Sequence, residues 1–318
     1  MTQARDRRKF LKCMAWAGTG VVWTMAGGVP KALALDDAAS VTSAAGGKDT
    51  AAARAFSFVQ ISDSHIGFNK EANPDVEATL RQAITKINGM TQPPTFVVHT
   101  GDVTHLSKPG EFDVAGEALR TIHVGDLHVL PGEHDVIGDD GAAFFARFPH
   151  GRERAPWYSF DQAGVHFIAL VNVIGLGAGG LGQLGGPQLE WLEDDLRGRT
   201  ASTPIVVFAH MPLWSIYPQW GWGTQDSDAA LAYLKRFGSV TVLNGHIHQI
   251  VQKVEGNIAF YTARATAFPQ PVAGTAPAPG PLKVPADQLA ASLGIRSISV
   301  ARAPGPLAVT DASLADDA

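Results

Sequence analysis

Thiols are almost missing from this 318-residue chain, whose single cysteine is Cys13, close to the N-terminus. One thiol builds neither a disulfide nor a cysteine-ligated zinc or iron–sulfur centre. Any metal held here must therefore sit on imidazole and carboxylate. Excess positive charge is missing too. Twenty-five Lys and Arg stand against 30 Asp and Glu, a net charge of −5. That argues against a general polyphosphate or nucleic-acid binder, whose affinity rests on cations that neutralise phosphates. There is no internal repeat. The apolar run Cys13–Pro30 contains Gly18, Gly20, Gly27 and Gly28, which makes it a poor membrane-spanning helix. The glycine-dense tract "GLGAGGLGQLGG" (175–186) lacks the lysine and the strand–loop–helix setting of a phosphate-cradling loop and reads as a mobile loop. What remains, 45% hydrophobic and 17% charged with 34 Gly and 20 Pro, is the composition of an ordinary globular domain.

The N-terminus reads as a targeting segment. "RRKFLK" (7–12) precedes the uncharged run, and Ala32-Leu33-Ala34 forms an A-x-A cleavage pattern. This order of features resembles a bacterial twin-arginine export signal. The resemblance implies residues 1–34 as a removable signal, a translocase as transient partner, and a periplasmic or secreted destination with no stable span in the mature chain. Six basic residues and one acidic residue fall in 1–34, so the remaining 284 carry a net charge of −10. Residues 35–54 read as a flexible leader. Residues 55–265 read as one compact domain, and 266–318 as a Pro/Gly-rich C-terminal extension packing on it.

Within the domain, apolar runs alternate with amphipathic stretches. "FSFVQI" (56–61), "TFVVH" (95–99), "HVL" (128–130), "VHFIALV" (165–171), "PIVVFAH" (204–210) and "VTVLN" (240–244) predict buried strands. Pro74–Ile87, Pro187–Leu196 and Ser227–Phe237 predict helices. A hairpin is expected to turn at Gln162–Gly164. Strands alternating with helices predict an α/β sandwich.

Position is the informative feature of the polar residues. Asp63-Ser64-His65, Gly101-Asp102, Gly132-Glu133-His134-Asp135, His210 and Gly245-His246-Ile247-His248 each follow a predicted strand. The carboxyl ends of strands form the ligand-binding edge of an open α/β sheet. In D-x-H and H-x-H, alternate residues of an extended segment point the same way, so each pair can grip one ion. The three glycines are expected to let the chain turn at the strand ends. Oxygen and imidazole ligands without thiolate suit Mn, Fe, Zn or Ni. The two pairs with Asp102, Glu133 and His210 make seven ligands, too many for one ion and suited to two.

The ordered blocks D-x-H, G-D, G-x-H-D, H and G-H-x-H, spread over Ser57–His248, resemble the calcineurin-like metallophosphoesterase superfamily, including its cyclic-nucleotide phosphodiesterase branch. "GPQLEWLEDDL" (186–196) is similar to the helix this family often carries before its lone His. The resemblance implies a two-sheet α/β sandwich with a metal pair at the strand ends. It assigns Asp63, His65 and His248 to one metal and Glu133, His210 and His246 to the other, with Asp102 bridging. It implies a metal-bound hydroxide for in-line attack on phosphorus, two ions roughly 3.5–4 Å apart, and His134 as general acid, with Asp135 orienting its ring. The implied partner is a small phosphorylated substrate, monoester or diester. Oligomeric state stays open.

Glu133 departs from the pattern, which has Asn there. A carboxylate offers no N–H donor and adds a negative charge. Two divalent ions with two aspartates and a hydroxide keep one net positive charge, and ionised Glu133 cancels it. Either a mixed Fe(III)/M(II) pair restores the charge, or the site prefers less charged phosphodiesters. The alternative reading is a catalytically silent metal-binding or scaffolding protein on the same fold. Of the remaining histidines, His123, His128, His150 and His166 read as structural, while His99 and His105 flank Asp102 closely enough to support the ligands from behind. "MPLWSIYPQWGWG" (211–223) reads either as packing or as an aromatic wall of the substrate pocket.

Overall fold

The computed structural model describes residues 55–149, 155–300 and 307–316, together with an N-terminal hairpin at 21–26 and 29–34. The chain divides into two compact units, Met1–Ala52 and Ala53–Ala318. In the first, β1 (Val21–Ala26) pairs antiparallel with β2 (Val29–Ala34). The twin arginines and the leader expected at 35–54 lie outside the described residues.

The second unit contains two sheets. β3 (Phe56–Ile61), β4 (Phe96–His99) and β5 (Asp126–Val129) run parallel. β12 (Gly294–Val300) lies antiparallel to β3, and β13 (Ala308–Ser313) pairs antiparallel with β12. The order is β13-β12-β3-β4-β5. The other sheet has the order β10-β11-β9-β8-β7-β6. Its four central strands, β7 (Val165–Ala169), β8 (Ile205–Phe208), β9 (Val240–Asn244) and β11 (Ile258–Thr262), are parallel. β6 (Tyr158–Gln162) and β10 (Gln252–Glu255) close the edges antiparallel, and β6–β7 is the expected hairpin.

Strand alternation explains why these runs are continuously apolar. Phe58, Phe96 and Val98 from one sheet meet Phe167, Val206, Phe208 and Leu243 from the other in one buried cluster. The intervening Val59 and Val97 point outward into a cluster with α1 (Val76–Asn88), α2 (Pro109–Leu119) and α3 (Ala142–Arg147), where Leu80, Phe112 and Phe144 are buried. Ile168, Val207 and Val242 point onto α4 (Gly186–Arg197) and α5 (Ser227–Leu234). With both faces covered, strands need apolar residues at every position. The result is the expected two-sheet α/β sandwich with helices outside.

The region past Tyr261 departs from expectation. The Pro/Gly-rich tract is irregular around 269–285, but the chain then forms α6 (Ala286–Ser292), β12 and β13. β12 sits between β3 and β13 inside the first sheet and buries Ile295 and Ile298. The glycine-dense tract is also tied down: Gly182 N–H donates to the Gly223 carbonyl, and Asp226 accepts from Leu184 and Gly185. No helix among the described residues is long and apolar enough to cross a membrane.

Candidate metal centre

All five polar blocks reach one place. Asp63 and His65 follow β3, Asp102 follows β4, and Glu133–Asp135 form a short 3-10 turn after β5. His210 follows β8, and His246 and His248 follow β9. The site thus straddles the carboxyl ends of both sheets. Cross-sheet bonds hold it there: His246 N–H donates to both oxygens of Asp63 at 3.1 and 3.2 Å, and Gln60 Nε2 donates to the Asn244 carbonyl at 3.1 Å.

The local backbone is not the extended one expected for D-x-H. Asp63 (φ 55°), His65 (φ 41°), Asp102 (φ 53°), His246 (φ 70°) and His248 (φ 55°) all take left-handed conformations. The strands have ended, and the chain coils so that side chains from five segments converge. Of the three strand-end glycines, Gly101 alone has positive φ (105°). Gly132 and Gly245 serve close approach instead. A Cβ on the first would clash with Asp102, and on the second with Ser62 and Asp63.

Asp63, His65 and His248 form one compact set. Nε2 of His65 and of His248 lie 3.3 Å apart, and Asp63 Oδ1 lies 3.4 Å from His248 Nε2. Glu133, His210 and His246 form the other. One Glu133 oxygen lies 2.8 Å from His210 Nε2 and the second lies 2.9 Å from His246 Nδ1. Asp102 Oδ2 stands between the sets, 3.5 Å from His65 Nε2 and 3.4 Å from His210 Nε2. Within each set the candidate ligand atoms lie within 4.8 Å of one another.

Four of these buried atoms have no hydrogen-bond partner outside the ligand set itself: Glu133 Oε2, His210 Nε2, and Nδ1 and Nε2 of His246. Buried polar atoms are normally satisfied, so this donor set fits cations. Other ring nitrogens are already committed: His210 Nδ1–H donates to the Thr100 carbonyl at 2.8 Å, and His248 Nδ1–H to the Phe268 carbonyl at 2.6 Å. Those bonds leave Nε2 for the ion.

Burial opposes the charge of Glu133, yet His246 and His210 hold its carboxyl well below the usual range. Burial likewise opposes ionisation of Asp63, but His248 and His210 bring it down to about 2. Burial pushes His65 well below the ordinary histidine value, reinforced by His134, His248 and His105. For His134 burial acts downward, but Asp102 and Glu133, the His105 carbonyl and Asp135 carry the net upward.

Asp135 does not orient the His134 ring as expected. The ring is held by the His105 carbonyl, 2.7 Å from Nδ1. The Asp135 carboxylate faces the β4 end and accepts from Val103 N, Thr104 N, Thr104 Oγ1 and Gly132 N. Those bonds splice the second and third blocks together and use up both oxygens. Burial and Asp102 raise its pKa to about 7.

Among the other histidines, His99 is buried behind the site, its Nε2 3.0 Å from Ser64 Oγ and its Nδ1 accepting from Gly101 N. His166 is structural, held by Asp161 and Asp195. Trp214 and Trp222 of the aromatic run are buried, 8% and 1% exposed, so packing is their role. Phe268 went unread in the sequence. Its ring stacks on His65 at 4.9 Å and meets His248 at 4.9 Å, and only its place in an irregular tract gave a signal.

Comparison with known proteins agrees with this geometry. A glycerophosphodiester phosphodiesterase of Enterobacter lignolyticus is 26% identical over 211 residues, covering 62% of this chain and 71% of that protein. A dimetal phosphatase from Danio rerio superposes with a TM-score of 0.56 at 15% identity, covering 80% of this chain and 98% of that one. A purple acid phosphatase from yellow lupin seeds gives 0.60 at 13% identity, with 83% and 52% covered. The calcineurin-like phosphoesterase profile matches residues 56–250, and with every block of the metal centre inside that span, the chain belongs to the calcineurin-like phosphoesterase family of metal-dependent hydrolases.

Proposed function

We propose that this chain is an exported phosphodiesterase that uses a pair of metal ions to cleave small phosphodiesters, glycerophosphodiesters among them. The observation that carries the reading is the pair of three-residue ligand sets on either side of Asp102, with four buried ligand atoms that have no hydrogen-bond partner outside those sets. Asp63, His65 and His248 would hold one ion, Glu133, His210 and His246 the other, and Asp102 both. When bound, the ions supply positive charge to the phosphoryl oxygens and lower the pKa of water. The chain supplies the rest. His134 Nδ1–H is committed to the His105 carbonyl, which leaves Nε2 to pass a proton to the departing alkoxide. The Asp102 carboxylate accepts from His134 N at 2.9 Å, so the acid and the bridging ligand move together.

Glu133 selects among substrates. Its charge, held ionised by His246 and His210, lowers the attraction for a phosphate dianion more than for a diester monoanion. Likeness to a glycerophosphodiester phosphodiesterase supports the same class. Metal analysis of purified protein, followed by kcat/KM on bis-p-nitrophenyl phosphate and p-nitrophenyl phosphate, tests the reading. Glu133→Asn is expected to raise the monoester-to-diester ratio by about tenfold, the value of one charge in a partly screened site. An unchanged ratio sinks the charge argument, and no turnover with Mn, Fe, Zn or Ni favours the silent binding protein. Export by the twin-arginine route is tested by fractionating cells that carry Arg7→Lys/Arg8→Lys: protein still reaching the periplasm would refute it.

A further inference from the structure

His105 is not among the seven ligands, yet three contacts run from it into the site. Its Nδ1 lies 3.4 Å from Nδ1 of His65. Its carbonyl accepts Nδ1–H of His134 at 2.7 Å. Its ring stacks on the His134 ring, with centroids 5.0 Å apart and planes 14° from parallel. Phe68 meets its ring edge-on at 5.2 Å and fixes the plane from behind.

A histidine that ligates a metal through one ring nitrogen needs a proton, and an acceptor for it, on the other. His210 and His248 meet this need with the carbonyls of Thr100 and Phe268. His65 differs, because a second imidazole faces its Nδ1. For His65 to offer an unprotonated Nε2 beside Asp102 and His248, its Nδ1 must carry the proton and His105 Nδ1 must accept it. The opposite arrangement puts the proton on His65 Nε2 and removes that ring from the ligand set.

Resting on the metal-centred function above, we propose that His105 is a positioning residue: its Nδ1 sets the tautomer of the ligand His65, while its carbonyl and ring face hold the imidazole of His134. The two roles separate by substitution. His105→Asn keeps a side-chain acceptor close to where Nδ1 stands but loses the ring. His105→Phe keeps the stacked ring and has no acceptor. Full-length protein stripped with chelator is titrated with Mn(II) by calorimetry, and kcat is then measured at saturating Mn(II). His105→Phe is expected to weaken one of two Mn(II) equivalents by about 10- to 100-fold and to keep its kcat once saturated. His105→Asn is expected to bind both equivalents with affinities like the wild type, with kcat lowered by about tenfold or more through a misplaced acid. Circular dichroism checks each fold, and His105→Leu provides a second variant without an acceptor. Equal Mn(II) affinities in wild type, Phe and Leu variants overturn the tautomer role, and an unchanged kcat in the Asn variant overturns the ring's part in holding His134, the backbone carbonyl being common to all variants. Wild type that binds no Mn(II) would instead overturn the metal-centred function itself.

Discussion

Five of the seven ligand positions, Asp63, His65, Asp102, His246 and His248, keep φ in the left-handed region, a conformation that costs a non-glycine residue of order 1 kcal/mol. The hydrogen bonds around them repay this: Asp63 N–H donates to the Gly101 carbonyl and His65 N–H to the Asp102 carbonyl, both at 2.9 Å. The residue scale also decides the proton chemistry. His134→Ala should lower kcat by about 10²- to 10⁴-fold with metal content unchanged, measured by turnover and metal analysis on one preparation. His99 is one of the groups that weaken the fold in acid. Burial brings its pKa down from 6.5 to about 4 in the folded chain. A histidine depressed on folding contributes its stability above the unfolded value and loses it as pH falls from about 6.5 to about 4, because the unfolded chain takes up the proton first. The expected loss over that window is roughly 3 kcal/mol. Urea unfolding at pH 7.5 and 4.5 should show a smaller pH difference for His99→Gln than for the wild type, and equal differences would refute the assignment.

Among elements, the strands up to β9 in the domain were legible, and the later strands that complete the two sheets, β10 to β13, were not. β3, β4, β8 and β9 announce themselves as uninterrupted apolar runs because both faces are covered. β12, "GIRSISV", alternates and carries the buried Arg296, whose guanidinium pairs with Asp311 at 2.8 and 3.0 Å. Nothing local distinguishes it from tail until it docks beside β3. α2 is absent from the predicted helices; its Pro109 occupies the first helical position, where the missing N–H costs nothing. β12 is a structural member of the fold. Ile298, fully buried between the sheets, should cost about 2–5 kcal/mol on truncation to Ala, read as a shift of the urea midpoint. A cost below about 1 kcal/mol, the scale of a surface substitution, would mean that the C-terminal strands only lean on the domain.

For the whole molecule, three carboxylates and four imidazoles gather at the carboxyl ends of strands whose cores are apolar. Concentrated charge and unpaired buried atoms destabilise the fold until cations bind, and any ligand that binds only the native state raises stability by mass action. Chelation should therefore lower Tm by several degrees, and added Mn(II) should restore it. A Tm indifferent to both would argue that the cluster satisfies itself through the contacts His210–Glu133 and His246–Glu133.

The sequence by itself determined which residue types could do the chemistry and that they would stand at strand ends, because burial on both faces writes itself as apolar runs and the polar residues begin where burial stops. Its resemblance to the calcineurin-like family marked Glu133 as the unusual member. Only the tertiary structure decided which atoms face each other. It assigned the Asp135 carboxylate to backbone N–H groups near β4 and left the His134 ring to the His105 carbonyl. It brought Phe268 and β12 from the far end of the chain against β3 and its ligands. The reason is physical: strand burial is a local property with a fixed period, whereas the partner of a ring nitrogen depends on segments separated by as many as 183 residues that meet only after the two sheets pack.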